Sequence, residues 1–223
     1  MEIKVLQKVL AANDRVADEN KSLFDTNKIT AINIMSSPGS GKTTLLDRTI
    51  GALKPEFRIA VIEGDIQTTM DAERLSRHDV PIVQINTAPI GGDCHLDAAM
   101  INSALRDLPL DALDLIFIEN VGNLVCPAEF QLGEDFKTVL LSVTEGEDKP
   151  LKYPLMFQVC RWAVLSKTDL LSVLDVDLEK LRAYMRQVNP KLEVFELSAR
   201  SGAGLDAWTA RIRAAVCAKK GVE

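Results

Sequence analysis

The chain has 223 residues, 47% of them apolar and 26% charged, and a net charge of −6. That fits one α/β domain, or one domain with an appendage, able to bury a core. The acidic balance repels a phosphate backbone, so nucleic acid is not an expected partner, and no apolar run is long enough to span a bilayer.

In chain order, Val5, Leu6, Val9, Leu10, Ala17 and Leu23 fall at helical spacing, which predicts an N-terminal helical extension over residues 1–27 before a polar connector and a domain over residues 28–223. Strands are predicted at Ile29–Met35, Arg58–Glu63, Pro81–Ile85, Leu113–Glu119, Lys137–Val143, Trp162–Ser166 and Glu193–Leu197. Helices are predicted at Thr43–Leu53, Thr68–Arg77, His95–Leu105, Leu178–Val188 and Leu205–Ala218, and the proline-punctuated stretch 145–154 as a loop. Strands of continuous apolar residues separated by helices imply an α/β fold, a mostly parallel sheet with helices on both faces. The N-terminus lacks the apolar core of a secretory signal, and the expected location is the cytoplasm. The four cysteines (Cys94, Cys126, Cys160 and Cys217) form no C-x-x-C pair and read as free thiols, some of them candidate metal ligands.

Ser36-Ser37-Pro38-Gly39-Ser40-Gly41-Lys42-Thr43 follows the first domain strand and opens a helix, the context a Walker A phosphate loop requires. Gly39 and Gly41 let the backbone wrap phosphate oxygens, and the helix start adds partial positive charge. Lys42 is the expected β,γ-phosphate contact, Thr43 a Mg²⁺ ligand, and Ser40 and Thr44 further nucleotide contacts. Ser36 stands where the usual motif has glycine.

Ser166-Lys167-Thr168-Asp169 ends a later strand and resembles a guanine-reading N/T-K-x-D motif. A carboxylate at Asp169 pairs with guanine N1–H and its 2-amino group; adenine lacks both donors. Lys167 would lie along the base, and Ser198 and Ala199 offer backbone to the guanine oxygen. Ser166 replaces the commoner asparagine, which puts contacts to guanine and the phosphate loop in doubt. Glu63-Gly64-Asp65 and Glu119 end strands at the carboxyl edge of the sheet, where ligands of such folds bind. Asp65 and Glu119 are candidate catalytic and Mg²⁺-neighbouring groups, and Gly122 a backbone contact for the γ-phosphate.

Cys94 and His95, in Gly91-Gly92-Asp93-Cys94-His95, and Cys126 are candidate ligands for Ni²⁺ or Zn²⁺. Cys94 is expected at a helix N-terminus, which favours thiolate. Adjacent residues on a regular helix diverge by about 100°, so Cys94 and His95 share an ion only where the backbone is irregular, or a second chain completes the site. His78 reads as solvated.

Together Ser36–Thr44, Glu63–Thr68, Cys94-His95-Leu96-Asp97, Glu119–Glu129, Thr144–Pro154 and Ser166–Leu170 resemble the HypB family of hydrogenase nickel-incorporation GTPases, over residues 29–208. The resemblance implies a P-loop GTPase of the class that dimerises with nucleotide and uses GTP/GDP and Mg²⁺. It implies a nickel or zinc site at Cys94, His95 and Cys126 near the dimer interface. It also implies partners, namely the metallochaperone HypA and the large-subunit precursor of [NiFe]-hydrogenase. The N-terminal cysteine motif and histidine-rich tract of many members do not occur in this sequence. Lys149 and Lys152 lie in a segment that would reach across such a dimer. Rival expectations are a urease-type nickel GTPase, a P-loop ATPase or small-molecule kinase, and a non-hydrolytic metal-binding adaptor locked as a dimer by nucleotide.

Overall fold

A computed structural model of the chain describes residues 4–65, 70–87 and 94–222. The expected first residue of the second domain helix, Thr68, and the segment Gly91-Gly92-Asp93 lie outside the described residues. The elements run α1 (Lys4–Thr26), β1 (Thr30–Ser36), α2 (Lys42–Leu53), β2 (Ile59–Asp65), α3 (Met70–Ser76), β3 (Ile82–Asn86), α4 (Ala98–Leu105), β4 (Leu115–Glu119), α5 (Cys126–Glu129), β5 (Phe136–Ser142), α6 (Lys149–Lys152), α7 (Pro154–Val159), β6 (Trp162–Ser166), α8 (Leu178–Val188), β7 (Glu193–Glu196) and α9 (Leu205–Lys220). Among the described residues no helix is long and apolar enough to cross a membrane.

Seven parallel strands form one sheet in the order β3-β2-β4-β1-β5-β6-β7. The central strands are buried on both faces, which is why their sequences are apolar without alternation. The twofold alternation of a strand still sorts the core. Ile32 and Ile34 of β1, with Leu115 and Phe117 of β4, face α2 and α9. Ala31, Ile116 and Ile118 face the other way and pack with Phe24 of α1 and Ile101 and Leu105 of α4. Across β5 and β6 that second face has a separate cluster, in which Met35, Val139, Leu141, Ala163 and Leu165 pack with residues of α5, α7 and α8. One face therefore has a single core and the other has two, meeting near β1.

The structure corrects several local expectations. The helix expected from His95 starts at Ala98, because Asp97 caps it by accepting from Met100 N at 2.8 Å. The stretch expected as an open loop contains a short 3-10 turn at Val143–Glu145, then α6, and leads into α7. Prolines at the first turns of α6 and α7 start helices there. Lys149 of α6 lies over the Tyr153 ring at 5.4 Å, and Lys152 pairs with Asp148 at 2.6 Å. His78 is largely buried, its Nε2 2.7 Å from Asp47 Oδ1, and Asp47 also pairs with the exposed Arg77. A single polar residue in a polar stretch carries no sign of such a partner 31 positions away.

Candidate nucleotide and metal site

The phosphate loop joins β1, the strand on either side of which the sheet order runs outward, to α2. Gly39 and Gly41 have φ of 73° and 101°, a region that side-chain-bearing residues rarely enter. Gly41 precedes α2 and offers no side-chain cap, so the first backbone N–H groups of the helix are left for an anion. Ser36 takes a part that glycine could not: Lys42 Nζ donates to its hydroxyl at 3.1 Å, and that hydroxyl donates to Ser37 O at 2.6 Å. Ser40 Oγ lies 2.9 Å from Ser37 O and 2.7 Å from Glu145 Oε1, and its one proton serves one of them at a time.

Thr43 Oγ1 donates to Glu119 Oε1 at 2.9 Å, and both residues are buried. Asp65 ends β2 at the same edge, but β4 separates β2 from β1, so Glu119 stands nearer Thr43 in strand order. Thr44 Oγ1 accepts from Arg74 of α3 at 3.1 Å. Gly122 packs on the phosphate loop: a methyl group there would sit 3.0 Å from Pro38 Cα, tighter than an ordinary contact, so the close approach favours glycine.

A cleft beside the loop is lined by Gly41, Thr44, Lys167, Asp169, Ser198 and Ala199 among others. Lys167 adopts φ of 59° and extends its ammonium to Gly39 O at 2.8 Å. Asp169 Oδ1 accepts from Ser198 Oγ at 2.6 Å, which fixes the carboxylate at the cleft wall. Ser166 Oγ donates to Ser40 O at 2.8 Å. The hydroxyl thus supplies the link to the phosphate loop that the missing asparagine put in doubt. Arg48 of α2, which the sequence did not single out, donates to Ala199 O at 3.0 Å and holds the far wall.

Cys94, His95 and Cys126 converge, with one ligand atom from each lying within 4.8 Å of the others. Cys94 Sγ is 2.8 Å from Cys126 Sγ. Residues 94 and 95 form a bend before Asp97, so the irregular backbone that lets neighbours share an ion is present. The same bend removes the helix-dipole argument for Cys94, which lies four residues before α4. His95 stacks on Phe130 with centroids 3.9 Å apart, and its Nδ1 is buried with no hydrogen-bond partner among the described residues. Cys126 opens α5, and the neighbouring Cys94 thiol, followed by burial, holds its pKa above the ordinary thiol value. Two sulfurs and one imidazole nitrogen suit Ni²⁺ or Zn²⁺ and leave a fourth position open. Cys160 is buried, which pushes its thiol pKa up, and it joins no such group among the described residues; neither does Cys217.

Buried polar side chains connect the two regions. Asn120 follows Glu119; its Oδ1 accepts from Leu96 N at 3.2 Å and Val121 N at 3.0 Å, and its Nδ2 donates to Asn33 Oδ1 at 3.3 Å. Asn33 donates in turn to Glu134 Oε1 at 3.1 Å. Lys137 donates to Phe130 O at 2.8 Å, and burial pulls its ammonium pKa down. An asparagine and a lysine inside apolar strands were the available sequence signals for Asn33 and Lys137. Leu96, the residue after His95, presses on Gly64 of β2, where a methyl group would lie 2.8 Å from its side chain.

Residues 30–196 match the family described as CobW/HypB/UreG, nucleotide-binding domain. The chain is 54% identical over 210 residues to hydrogenase maturation factor HypB of Azotobacter vinelandii, covering 94% of this chain and 68% of that protein. It resembles the crystal structure of hydrogenase maturation factor HypB from Archaeoglobus fulgidus with a TM-score of 0.86 at 38% identity, over 93% of this chain and 100% of that one. It matches HypB from Helicobacter pylori, solved in complex with nickel, with a TM-score of 0.86 at 37% identity, over 92% of this chain and 95% of that one.

Proposed function

The chain belongs to the HypB hydrogenase maturation factors of the CobW/HypB/UreG nucleotide-binding family, and on that premise we propose that it hydrolyses GTP to control a nickel or zinc ion held by Cys94, His95 and Cys126. The ion is cargo for the large-subunit precursor of [NiFe]-hydrogenase, handled together with the metallochaperone HypA and as a nucleotide-favoured homodimer.

Asp169 selects guanine, because a carboxylate held by Ser198 can accept both guanine donors and would be left unpaired by adenine. Gly39, Ser40, Gly41 and Thr44 enclose the phosphates with Lys42, while Lys167, Ser198 and Ala199 flank the base. Thr43 and Glu119 fit a Mg²⁺ ion, since their oxygens are buried 2.9 Å apart at the phosphate loop; Asp65 serves beside them. The ion supplies neutralisation of phosphate charge. Positioning by Lys42 and the Gly122 backbone is the remaining contribution, so intrinsic turnover is slow.

Asn120 is the observation that carries the coupling. It is covalently next to Glu119 and hydrogen-bonded to the amide of Leu96, next to His95. A shift of the Glu119–Gly122 segment with the γ-phosphate therefore moves the metal ligands on both sides, Cys126 along the chain and His95 through Asn120. Coupling exists only if the two nucleotide states differ in metal affinity. Titrating Ni²⁺ into GDP-bound and GTP-analogue-bound protein is expected to give dissociation constants differing by roughly 5-fold or more; equal constants overturn the coupling. Single-turnover GTP hydrolysis with Lys42→Ala as control tests the enzyme, and rates that do not differ would leave an adaptor.

A further inference from the structure

The metal ligands sit on two limbs of chain. One runs Cys94-His95-Leu96-Asp97 into Ala98 at the start of α4; the other runs from Cys126 through Phe130 to Gln131 and Leu132. Leu96 packs in the α1–α4 core cluster; on the other side Leu124 and Ala128 pack in the α5–α7–α8 cluster, while Leu132 joins the Leu96 cluster. The second limb is thus divided between two bodies of core, and apolar packing, being non-directional, does not by itself fix the separation of the limbs.

Two asparagines on α1 touch both limbs. Asn13 Oδ1 accepts from Ala98 N at 2.9 Å while its Nδ2 donates to Gln131 O at 2.8 Å. Asn20, two helical turns on and fully buried, donates from Nδ2 to Ala98 O at 2.9 Å and to Leu132 O at 3.0 Å. Its Oδ1 accepts from Asn102 of α4 at 2.8 Å. The approach is close: at Gly133, where φ is 95°, a methyl group would lie 2.6 Å from Ala17 O of α1. Buried amides lose hydration and are stable only when paired. If α1 merely covered apolar surface, aliphatic residues at positions 13 and 20 would do so without that cost.

We propose that α1 is the clasp of the metal site, and that Asn13 and Asn20 are positioning residues which set the distance between the Cys94–His95 limb and the Cys126 limb. The proposal rests on the metal-site reading and extends it to a helix that supplies no ligand. Removing an outer partner of a metal ligand typically costs 10–100-fold in affinity; the clasp acts through backbone, so the lower end applies.

The test uses the full chain with GDP bound and Ni²⁺ as the probe, followed by titration and by the thiolate-to-nickel charge-transfer absorption. Asn20→Leu keeps the branching and heavy-atom count of the side chain and removes every amide contact. Asn13→Asp keeps the acceptor for Ala98 N and replaces the donor to Gln131 O with a carboxylate oxygen that repels it. The expected result for Asn20→Leu is roughly 10-fold weaker nickel binding with a shifted absorption band, and for Asn13→Asp a smaller loss, with GDP affinity unchanged in both. If Asn20→Leu does not fold, Asn13→Asp decides. Nickel affinity and spectrum at wild-type values, or GDP affinity falling in parallel with nickel, overturn the clasp. Wild-type protein without the band, or Cys94→Ala retaining it, overturns the metal-site reading itself and the clasp with it.

Discussion

The nucleotide cleft and the metal cluster share one edge of one sheet, but they are held by different means. The cleft rests on backbone geometry set by residues close in sequence: the left-handed Gly39 and Gly41, the bare start of α2, and the left-handed Lys167. Its cross-links run to main-chain oxygens of that rigid loop, from Ser166 to Ser40 and from Lys167 to Gly39. The metal cluster has no such local frame. Its limbs are divided between two core clusters and are joined by amides from α1, while Asn120 holds the Cys94 limb and Lys137 the Cys126 limb. A site fixed by backbone angles resists small shifts; a site fixed by side-chain braces between two bodies can be biased by a neighbour. That difference supports the proposed control of the metal site by nucleotide.

The strongest way to break the comparison is at the base. Asp169→Ala is expected to collapse a GTP-over-ATP preference on the order of 10⁴ toward unity, measured by competition binding, with nickel affinity of the nucleotide-free protein unchanged. A change in nickel affinity there would show that the two regions are not separately held.

Gly64→Ala sharpens the comparison from β2, which packs against the Cys94–His95 limb through Leu96. The added methyl meets Leu96, which is fully buried, so overpacking should cost about 1–3 kcal/mol of stability. Because Leu96 follows His95, nickel binding is expected to weaken more than GDP binding; equal weakening would place the strain elsewhere.

Ser166→Ala should have the smallest effect. It deletes one buried hydrogen bond to Ser40 O, worth about 1 kcal/mol, or roughly 5-fold in GDP affinity, read by titration. Ser166→Asn should restore affinity if the link to the phosphate loop is the function of that position, and nickel affinity should stay at the wild-type value in both variants.

Much of the frame was legible because it depends on short-range rules. The Trp162–Ser166 strand and the Leu178–Val188 helix follow from apolar runs and helical spacing. The phosphate loop follows from glycines placed between a strand and a helix. The misplacement of the start of α4 arose because apolar periodicity continues back through Leu96, while Asp97, as the N-cap, lets the helix begin only at Ala98. His78, in the turn after α3, was missed because its partner Asp47 is on α2, far away in sequence.

The sequence by itself determined the parallel α/β sheet, the phosphate loop and the candidate metal ligands, since strand and helix periods, positive-φ glycines and residue chemistry are read within a few residues. Only the tertiary structure decided that Cys94 and Cys126, 32 positions apart, meet beside His95. It also decided that Ser166 bonds the loop its asparagine counterpart would have reached, and that α1 holds both metal limbs. Those contacts join segments whose distance is set by core packing and buried hydrogen bonds, and no local preference of the chain encodes that distance.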